Sequence, residues 1–253
     1  MRLDGRVALV TGGGRGVGRG ICLALAAEGA AVVVAAHHRD SGDEVVAEIT
    51  RRGGRAVCVE CDVCRRADVE AAVAVAVDQL GGLDAFVHNA VSVRSSEEVD
   101  LEGAGRALWE EHASVSVRAL LFCAQAAHPH LAARRGSMVV LQSPAGIQGG
   151  PERSFYSMVK GAQRGFVKSL AREWGADGIR VNGVAPLAVS PALDHAFEAD
   201  PALQAKLTRV IPLGWFGDPE LDIGGAVAFL CGEGARYVTG QTLVVSGGRF
   251  TAL

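Results

Sequence analysis

A glycine-rich turn between a strand pattern and a helical pattern is the feature that most constrains this fold. Residues 11–18 read TGGGRGVG; they follow the apolar run 6–10 and precede apolar residues at helical spacing in 21–28. In this order of elements, backbone N–H groups at the helix N-terminus face a bound pyrophosphate, and glycine is required where φ is positive or a ligand contacts the backbone. The strict GxGxxG spacing is absent, because Val17 and Arg19 stand where the third glycine would be. The turn predicts a nucleotide site with these candidate residues: Gly12, Arg15, Gly16, Val17 and Gly18.

Apolar runs of strand length alternate with segments of helical spacing through the whole chain. Continuous apolar strands in such alternation are typical of a parallel sheet that is covered by helices on both faces. With 253 residues, of which 49% are hydrophobic, the chain is long enough for a large single core. We therefore predict one α/β domain over 1–253, a Rossmann-type doubly wound sandwich with a seven-stranded parallel sheet. The predicted strands are 7–10, 31–36, 56–60, 85–88, 138–141, 180–185 and 243–245, and the predicted helices include 40–52, 66–80, 105–133, 154–174 and 219–231.

The segment 187–217 breaks this alternation, because Pro191, Pro201 and Pro212 interrupt short helical pieces. A long excursion after a strand of an α/β sheet leaves from the edge where ligands bind, which favours a cover over the substrate. An ordinary surface excursion is the alternative.

The overall charge and hydropathy exclude some function classes. The formal net charge is −3 and the basic residues are scattered, so nucleic acid is not an expected partner. The sequence has neither an apolar run of roughly 18 to 20 residues nor a signal-peptide core. We expect a cytoplasmic protein that does not bind membranes.

Three of the six cysteines, Cys58, Cys61 and Cys64, have the spacing CxxCxxC. A closed zinc site needs a fourth soft ligand, usually from a second Cys or His pair, and none follows. We interpret these three as small apolar side chains on and after a strand, and the other three as core thiols in helices. No metal is expected.

A phenol and an ammonium, Tyr156 and Lys160, are spaced four residues apart, which places them on one face of a helix. Ser143 lies thirteen positions before Tyr156, just after the predicted strand 138–141. Together with the glycine turn, this combination resembles the short-chain dehydrogenase/reductase family in its classical form, over residues 5–248. The resemblance implies an enzyme that transfers a hydride between a nicotinamide coenzyme and a carbonyl substrate.

The chemistry of carbonyl reduction accounts for these residue types. The oxygen that gains charge must receive a proton, and a phenol with a pKa near ~10 donates poorly unless a neighbouring cation favours the phenolate. Lys160 would supply that charge and, by resemblance, bind the nicotinamide ribose. Ser143 would donate a hydrogen bond to the substrate oxygen.

Further positions match the family's cofactor-binding segments. By resemblance, Asp62 and the following Val63 contact the adenine, Asn89 and Ala90 hold the sheet and the ribose, and Pro186 and Val189 meet the nicotinamide carboxamide. For Asp62 the alternative is a carboxylate that caps the helix beginning near residue 66.

The end of the second strand bears on the coenzyme. Members that prefer NAD carry an acid there, but this strand ends in alanine and is followed by His37, His38 and Arg39. Arg15 adds a cation suited to a 2′-phosphate, so we predict that NADP(H) is favoured over NAD(H). A solvated basic turn, partly neutralised by Asp40, is the alternative.

Five positions depart from the family's pattern. The position of the family's fourth catalytic residue, an Asn that kinks the long central helix and holds a water beside the lysine, falls on Ser116. Serine can still bind a water but lacks the amide's paired donor and acceptor, which predicts a weaker proton relay. The segment NNAG has become HNAV, ending in Val91, and Leu187 and Pro191 replace a glycine and a threonine. A reshaped pocket is expected.

These residues predict an NADPH-dependent reductase of a ketone, with a 3-oxoacyl thioester or a secondary-metabolite carbonyl among the candidate substrates. An enoyl reductase and a cofactor-binding protein with weak turnover are the alternatives. The resemblance also implies a homotetramer or dimer formed through the helices 105–133 and 154–174. Small residues on the second helix would permit close packing between subunits or against its own sheet: Gly161, Ala162 and Gly165.

Overall fold

The computed structural model describes residues 3–95, 97–189, 193 and 197–251. Seven strands form one parallel sheet in the order β3-β2-β1-β4-β5-β6-β7. The direction of strand progression reverses between β1 and β4, where ligands of doubly wound sheets bind at the carboxyl ends of the strands. The strands are β1 (Val7–Thr11), β2 (Ala31–Ala36), β3 (Arg55–Glu60), β4 (Ala85–His88), β5 (Ser137–Leu141), β6 (Arg180–Pro186) and β7 (Thr242–Val245).

Helices cover both faces of this sheet, as predicted from the continuous apolar strands. They are α1 (Gly16–Ala27), α2 (Arg39–Arg51), α3 (Arg66–Leu80), α4 (Arg106–Ala113), α5 (Ala119–Arg134), α6 (Ala145–Gln148), α7 (Ser154–Glu173), α8 (Pro201–Thr208) and α9 (Gly225–Cys231). None of the helices in the described residues is both long and apolar enough to cross a membrane.

Alternate residues of each strand feed two separate apolar cores. Leu9 and Phe86 belong to the core under α3, α5 and α7, whereas Val10 and Val87 belong to the core under α1, α2 and α9. This division follows from the strand geometry, since successive side chains point to opposite faces. The Rossmann-type sandwich predicted from the sequence is confirmed.

The long helix predicted over 105–133 is interrupted. A π-helical turn, Ser114–Arg118, separates α4 from α5 and contains Ser116. The predicted helix 219–231 likewise starts with a π-helical turn, Pro219–Gly224, before α9. The first turn lies where the resemblance places a kink of the long helix, at Ser116, whereas nothing in the sequence predicted the turn at the start of the second helix.

The segment 187–217 begins and ends beside the same edge of the sheet. The Val189 N–H donates to the Gly217 carbonyl at 3.3 Å, and the Gly217 N–H donates to the Leu187 carbonyl at 3.2 Å. The Leu187 N–H itself donates to the carbonyl of Val245, the last residue of β7, at 2.8 Å. The described part between these ends contains α8 and the contact of Phe197 with Phe216, at 5.5 Å between ring centres. The two ends of the segment are therefore fixed to the sheet.

Candidate active site

The glycine turn after β1 is shaped by close contacts and by positive φ angles. Gly12 and Gly16 have φ of +64° and +54°, a region that favours glycine. A Cβ on Gly18 would overlap the Gly12 carbonyl oxygen, so α1 can approach the strand only with glycine there. Arg15 is the exposed N-cap of α1 and its side chain makes no capping hydrogen bond, while Val17 packs against the core. The N-terminal N–H groups of α1 are thus framed by backbone, as a bound pyrophosphate requires.

Asn89 joins the carboxyl ends of β1 and β4. Its Nδ2 donates to the carbonyls of Thr11 and Gly12, both at 3.1 Å. Thr11 Oγ1 in turn accepts from the backbone N–H groups of Asn89 and Ala90, at 3.1 and 3.2 Å. These bonds fix the glycine turn against β4, at the point where the strand order reverses.

The basic turn after β2 is exposed. His37 and His38 contact each other, with 4.6 Å between ring centres, and both are exposed. Arg39 forms an ion pair with Asp43 at 3.4 Å, in which both side chains are more than half exposed. Asp43, rather than the Asp40 considered from the sequence, is therefore the partner of this cation.

Asp62 lies in the turn after β3 and does not cap α3. Its Oδ1 accepts from the Cys64 N–H at 2.9 Å, two residues along, and Arg65 occupies the N-cap of α3. The capping role considered from the sequence was wrong. Asp62 is half-buried and Val63 is buried, at the same edge of the sheet as the glycine turn.

The cysteines beside this turn differ in burial. Cys61 is buried, whereas Cys58 and Cys64 are half-buried. Burial raises the pKa of Cys58 to about 11 and that of Cys61 to about 12. Among the described residues, no three His, Cys, Asp or Glu side chains are grouped to hold a metal ion.

Ser143, Tyr156 and Lys160 come together beyond the carboxyl end of β5. Tyr156 and Lys160 lie one turn apart on α7, with Lys160 Nζ 5.8 Å from the centre of the Tyr156 ring. Ser143 forms a side-chain hydrogen bond with Tyr156, and its Oγ also accepts from the Ala145 N–H at 3.2 Å. A Cβ on Gly146 would clash with the backbone of Lys160, so glycine in α6 permits this close approach to α7.

Burial dominates the electrostatics of this trio. It raises the pKa of Tyr156, and the hydrogen bond from Ser143 and the charge of Arg153 act in the opposite direction. Lys160 is 3% exposed, and burial lowers its pKa to about 7. Because desolvation penalises a cation as well as a phenolate, each of the two groups holds its charge only with help from its neighbours.

Two buried histidines lie near the lysine: His88, noted from the sequence only as a departure from the family pattern, and His112, which sequence reasoning did not single out. His88 ends β4 and is completely buried; burial and the charge of Lys160 lower its pKa to about 3. His112 contacts the Tyr156 ring at 6.1 Å between ring centres, and its pKa is also lowered, chiefly by burial. Both are neutral imidazoles at neutral pH.

Sequence reasoning also missed Gln163, which contacts Lys160 from one turn further along α7. Its Oε1 accepts from Lys160 Nζ at 3.0 Å, and its Nε2 donates to the Ser116 carbonyl at 2.8 Å. The Ser116 hydroxyl is buried and has no hydrogen-bond partner among the described residues. Since a lone amide interrupts the apolar face of α7 between Val159 and Val167, the pattern held a signal that could have revealed it.

Pro186 ends β6 and Val189 follows it, beside the fixed end of the segment 187–217. Of the positions that depart from the family pattern, Val91 is 40% exposed and Leu187 is half-buried. Pro191 lies outside the described residues.

Comparisons with known proteins agree with this arrangement. Residues 12–249 match a family model described as "Enoyl-(Acyl carrier protein) reductase". A 3-oxoacyl-[acyl-carrier-protein] reductase of Synechocystis sp. is 34% identical over 251 residues, which cover 97% of each chain. The chain belongs to the short-chain dehydrogenase/reductase family. It is an NAD(P)-dependent oxidoreductase of that family.

Solved structures of this family superpose over nearly the whole chain. A structure described as a "putative short-chain alcohol dehydrogenase" from Sinorhizobium meliloti 1021 has a TM-score of 0.89 and 36% identity, covering 98% of this chain and 97% of that one. A 7α-hydroxysteroid dehydrogenase in complex with NADH and 7-oxo glycochenodeoxycholic acid has a TM-score of 0.90 and 31% identity, covering 98% of this chain and 95% of that one. The glycine turn fits a dinucleotide at the carboxyl edge of the sheet. One N–H of Lys160, which is bonded to neither the Leu141 carbonyl nor Gln163, fits the dinucleotide at that edge as well.

Proposed function

We propose that this chain reduces a ketone to a secondary alcohol with NADPH, and that Tyr156 is the general acid. The observation that carries the proposal is the trio of Ser143, Tyr156 and the buried Lys160 at the sheet edge that also bears the glycine turn. The strand register supports their proximity: Thr11 pairs with His88 and His88 with Val140, so the ends of β1, β4 and β5 are neighbours.

Each residue of the trio has its own role in the reaction. The reduced nicotinamide supplies the hydride. Ser143 donates a hydrogen bond to the carbonyl oxygen, which stabilises the negative charge that develops there. Tyr156 donates its proton to the same oxygen, and the charge of Lys160 favours the phenolate that remains.

The coenzyme would lie across the edge formed by β1, β2, β3 and β4. The glycine turn would hold the pyrophosphate, Asp62 and Val63 the adenine, and Asn89 with Ala90 the ribose. Arg15 and the turn of His37, His38 and Arg39 support a preference for NADP(H), because β2 ends without a carboxylate. Pro186 and Val189 would line the nicotinamide.

A 3-oxoacyl thioester is the substrate class that we favour. Its support is the resemblance over nearly the whole chain to a relative named for reducing such a substrate. The segment 187–217 would cover the substrate, since its ends are fixed beside Pro186 and its described part exposes Leu213 and Trp215. Enoyl reduction, named in the description of the matching family model, is the second candidate.

A homo-oligomer formed through α5 and α7 accompanies this proposal. Both helices expose apolar side chains, Val117 and Leu121 near the start of α5 and Met158 on α7. Ala162 and Gly165 on α7 are exposed as well, and a Cβ on Gly165 would meet open space. Gly161 contacts its own chain, since a Cβ there would lie 3.4 Å from the Gly146 carbonyl.

The test follows NADPH absorbance with 3-oxoacyl thioesters, simple ketones and enoyl thioesters as substrates. We expect reduction of a 3-oxoacyl thioester, and loss of about 10²- to 10⁴-fold in kcat in the Tyr156→Phe variant. Tyr237→Phe is the matched control, because Tyr237 is the only other tyrosine and is 99% exposed. Wild-type turnover by Tyr156→Phe would refute the assigned acid. Reduction of enoyl thioesters alone would favour the second candidate, and coenzyme binding without any turnover would favour a binding protein.

A further inference from the structure

Gln163 bridges the lysine of the active site to the π-helical turn. Its side-chain amide is 1% exposed and is bonded at both ends, to Lys160 Nζ at 3.0 Å and to the Ser116 carbonyl at 2.8 Å. A π-helical turn shifts the regular hydrogen-bond ladder and can leave a carbonyl open to another donor. The break in the long helix thus provides an acceptor that orients the amide, with its oxygen towards Lys160.

A count of donors shows what this bridge does to Lys160. An ammonium group has three N–H bonds. One is donated to the Leu141 carbonyl at 2.7 Å and one to Gln163, so a single N–H remains for the coenzyme and Tyr156. We propose that Gln163 is a positioning residue that keeps Lys160 charged and aims its third N–H at the reaction centre. This inference rests on the proposed role of Lys160 beside Tyr156.

The positive charge of Lys160 depends on two neutral oxygens, the Leu141 carbonyl and Gln163 Oε1. No carboxylate forms an ion pair with Lys160 within the described part of the chain. The titratable groups that face it are Tyr156 on its own helix, His88 on β4 and His112 on α4, and both histidines have lowered pKa values. Burial also lowers the pKa of Lys160, and hydrogen bonds accepted by neutral oxygens oppose that effect.

The amide is suited to positioning and not to proton transfer. A carboxamide keeps both of its N–H bonds at neutral pH, so the bridge ends at the Ser116 carbonyl without passing a proton.

The small number of tyrosines allows a test that needs neither coenzyme nor substrate. In a Tyr237→Phe parent, Tyr156 is the only phenol, so the phenolate absorbance band reports its ionisation alone. The Gln163→Met variant keeps the bulk and removes the acceptor of Lys160, which disfavours the ammonium and phenolate pair. We expect the midpoint of phenolate formation to rise by about one pH unit.

Two further variants separate positioning from packing. Gln163→Glu keeps an acceptor for Lys160 and should bring the midpoint back to the parent value or below it. Val167→Ala removes packing one turn further along the same buried face, so it should lower Tm and leave the midpoint unchanged. A Gln163→Met titration that superimposes on the parent, or a shift of equal size in Val167→Ala, would overturn the proposal.

Steady-state kinetics of the same Gln163 variants provide a second test of the proposal. With the best ketone, Gln163→Met should lose about tenfold in kcat with little change in KM, and Gln163→Glu should recover part of it. If the parent reduces no ketone, the proposed function fails while the titration still decides on the bridge. If the parent turns over and the titration of Gln163→Met is unchanged, the bridge fails and the proposed function stands.

Discussion

The two polar regions of this site differ sharply in their contact with water. Lys160 and Gln163 are buried, and Tyr156 and Ser143 are half-buried: Nζ has two fixed acceptors, and Tyr156 is hydrogen-bonded to Ser143. In the turn after β2, His37, His38 and Arg39 are exposed, and the ion pair of Arg39 with Asp43 is open to solvent. The same change of charge therefore has a large effect in the first region and a small one in the second.

This difference suggests a division of labour. Buried groups can tune a reaction, because desolvation shifts their pKa values by whole units. Exposed charges bias the choice of coenzyme by small, salt-dependent amounts, which sequence change can alter without disturbing the core. The following experiments would break or sharpen that comparison.

The largest effect is expected from Lys160→Met. Removing the cation 5.8 Å from the centre of the Tyr156 ring should lower kcat/KM for the best ketone by about 10²- to 10⁴-fold, measured by NADPH absorbance. Lys168→Met removes an exposed lysine two turns further along α7 and should leave kcat/KM unchanged. Equal losses in both variants would show that burial does not govern the effect.

The second effect is on stability and depends on pH. Burial lowers the pKa of Lys160 from 10.5 to about 7 in the coenzyme-free protein. Between these values the unfolded chain binds more protons, so stability rises with pH, and the cost of the buried charge is fully present below about pH 7. Relative to wild type, Lys160→Met should therefore gain more in Tm at about pH 6.5 than at about pH 9.5. Parallel Tm profiles would contradict the lowered pKa.

A smaller effect is expected at the glycine turn. Gly18→Ala would force α1 away from the Gly12 carbonyl and should cost about 1–3 kcal/mol in unfolding free energy and weaken coenzyme binding. Gly225→Ala, at the start of α9, is the matched helical substitution into open space and should raise stability by about 0.4–1 kcal/mol. Thermal unfolding and titration of NADPH fluorescence measure both. Equal coenzyme affinity in the two variants would count against the turn as the pyrophosphate site.

The smallest effect belongs to the exposed turn. Arg39→Asp should lower the ratio of kcat/KM for NADPH to that for NADH by about tenfold, and less at high salt. Asp43→Asn removes the partner of Arg39 and should shift the ratio in the opposite direction. An unchanged ratio in both variants would remove the argument for NADP(H).

Much of the fold could be predicted because local pattern and tertiary structure coincide. All seven strands lie within one residue of their predicted ends, since a buried parallel strand needs an unbroken apolar run. Gly53, Gly81 and Gly178 have positive φ at helix ends, where the left-handed region favours glycine. The end of α5 is less obvious, because Arg135 adopts φ of +50° there without being glycine.

The interior of the site was less predictable, because long-range contacts determine it. The resemblance placed a kink at Ser116, but nothing in the sequence showed that the Ser116 carbonyl would accept from an amide 47 positions away. The pattern predicted which face of α7 is buried, but it did not show that Gln163 on that face would contact Lys160. The pairing of Arg39 likewise depends on whether α2 places Asp40 or Asp43 beside the guanidinium, and the structure places Asp43 there.

The paired ends of the segment 187–217 have an evolutionary consequence. Because Leu187 and Val189 are already bonded to Gly217, the chain between Val189 and Gly217 is a closed loop. A change in the length of this loop leaves the pairing of the sheet unchanged. Doubling such a loop costs only about 0.6 kcal/mol in closure entropy. Insertions and deletions there would be tolerated, so descendants of this protein could acquire new substrates by exchanging one surface segment while inheriting the reactive centre intact.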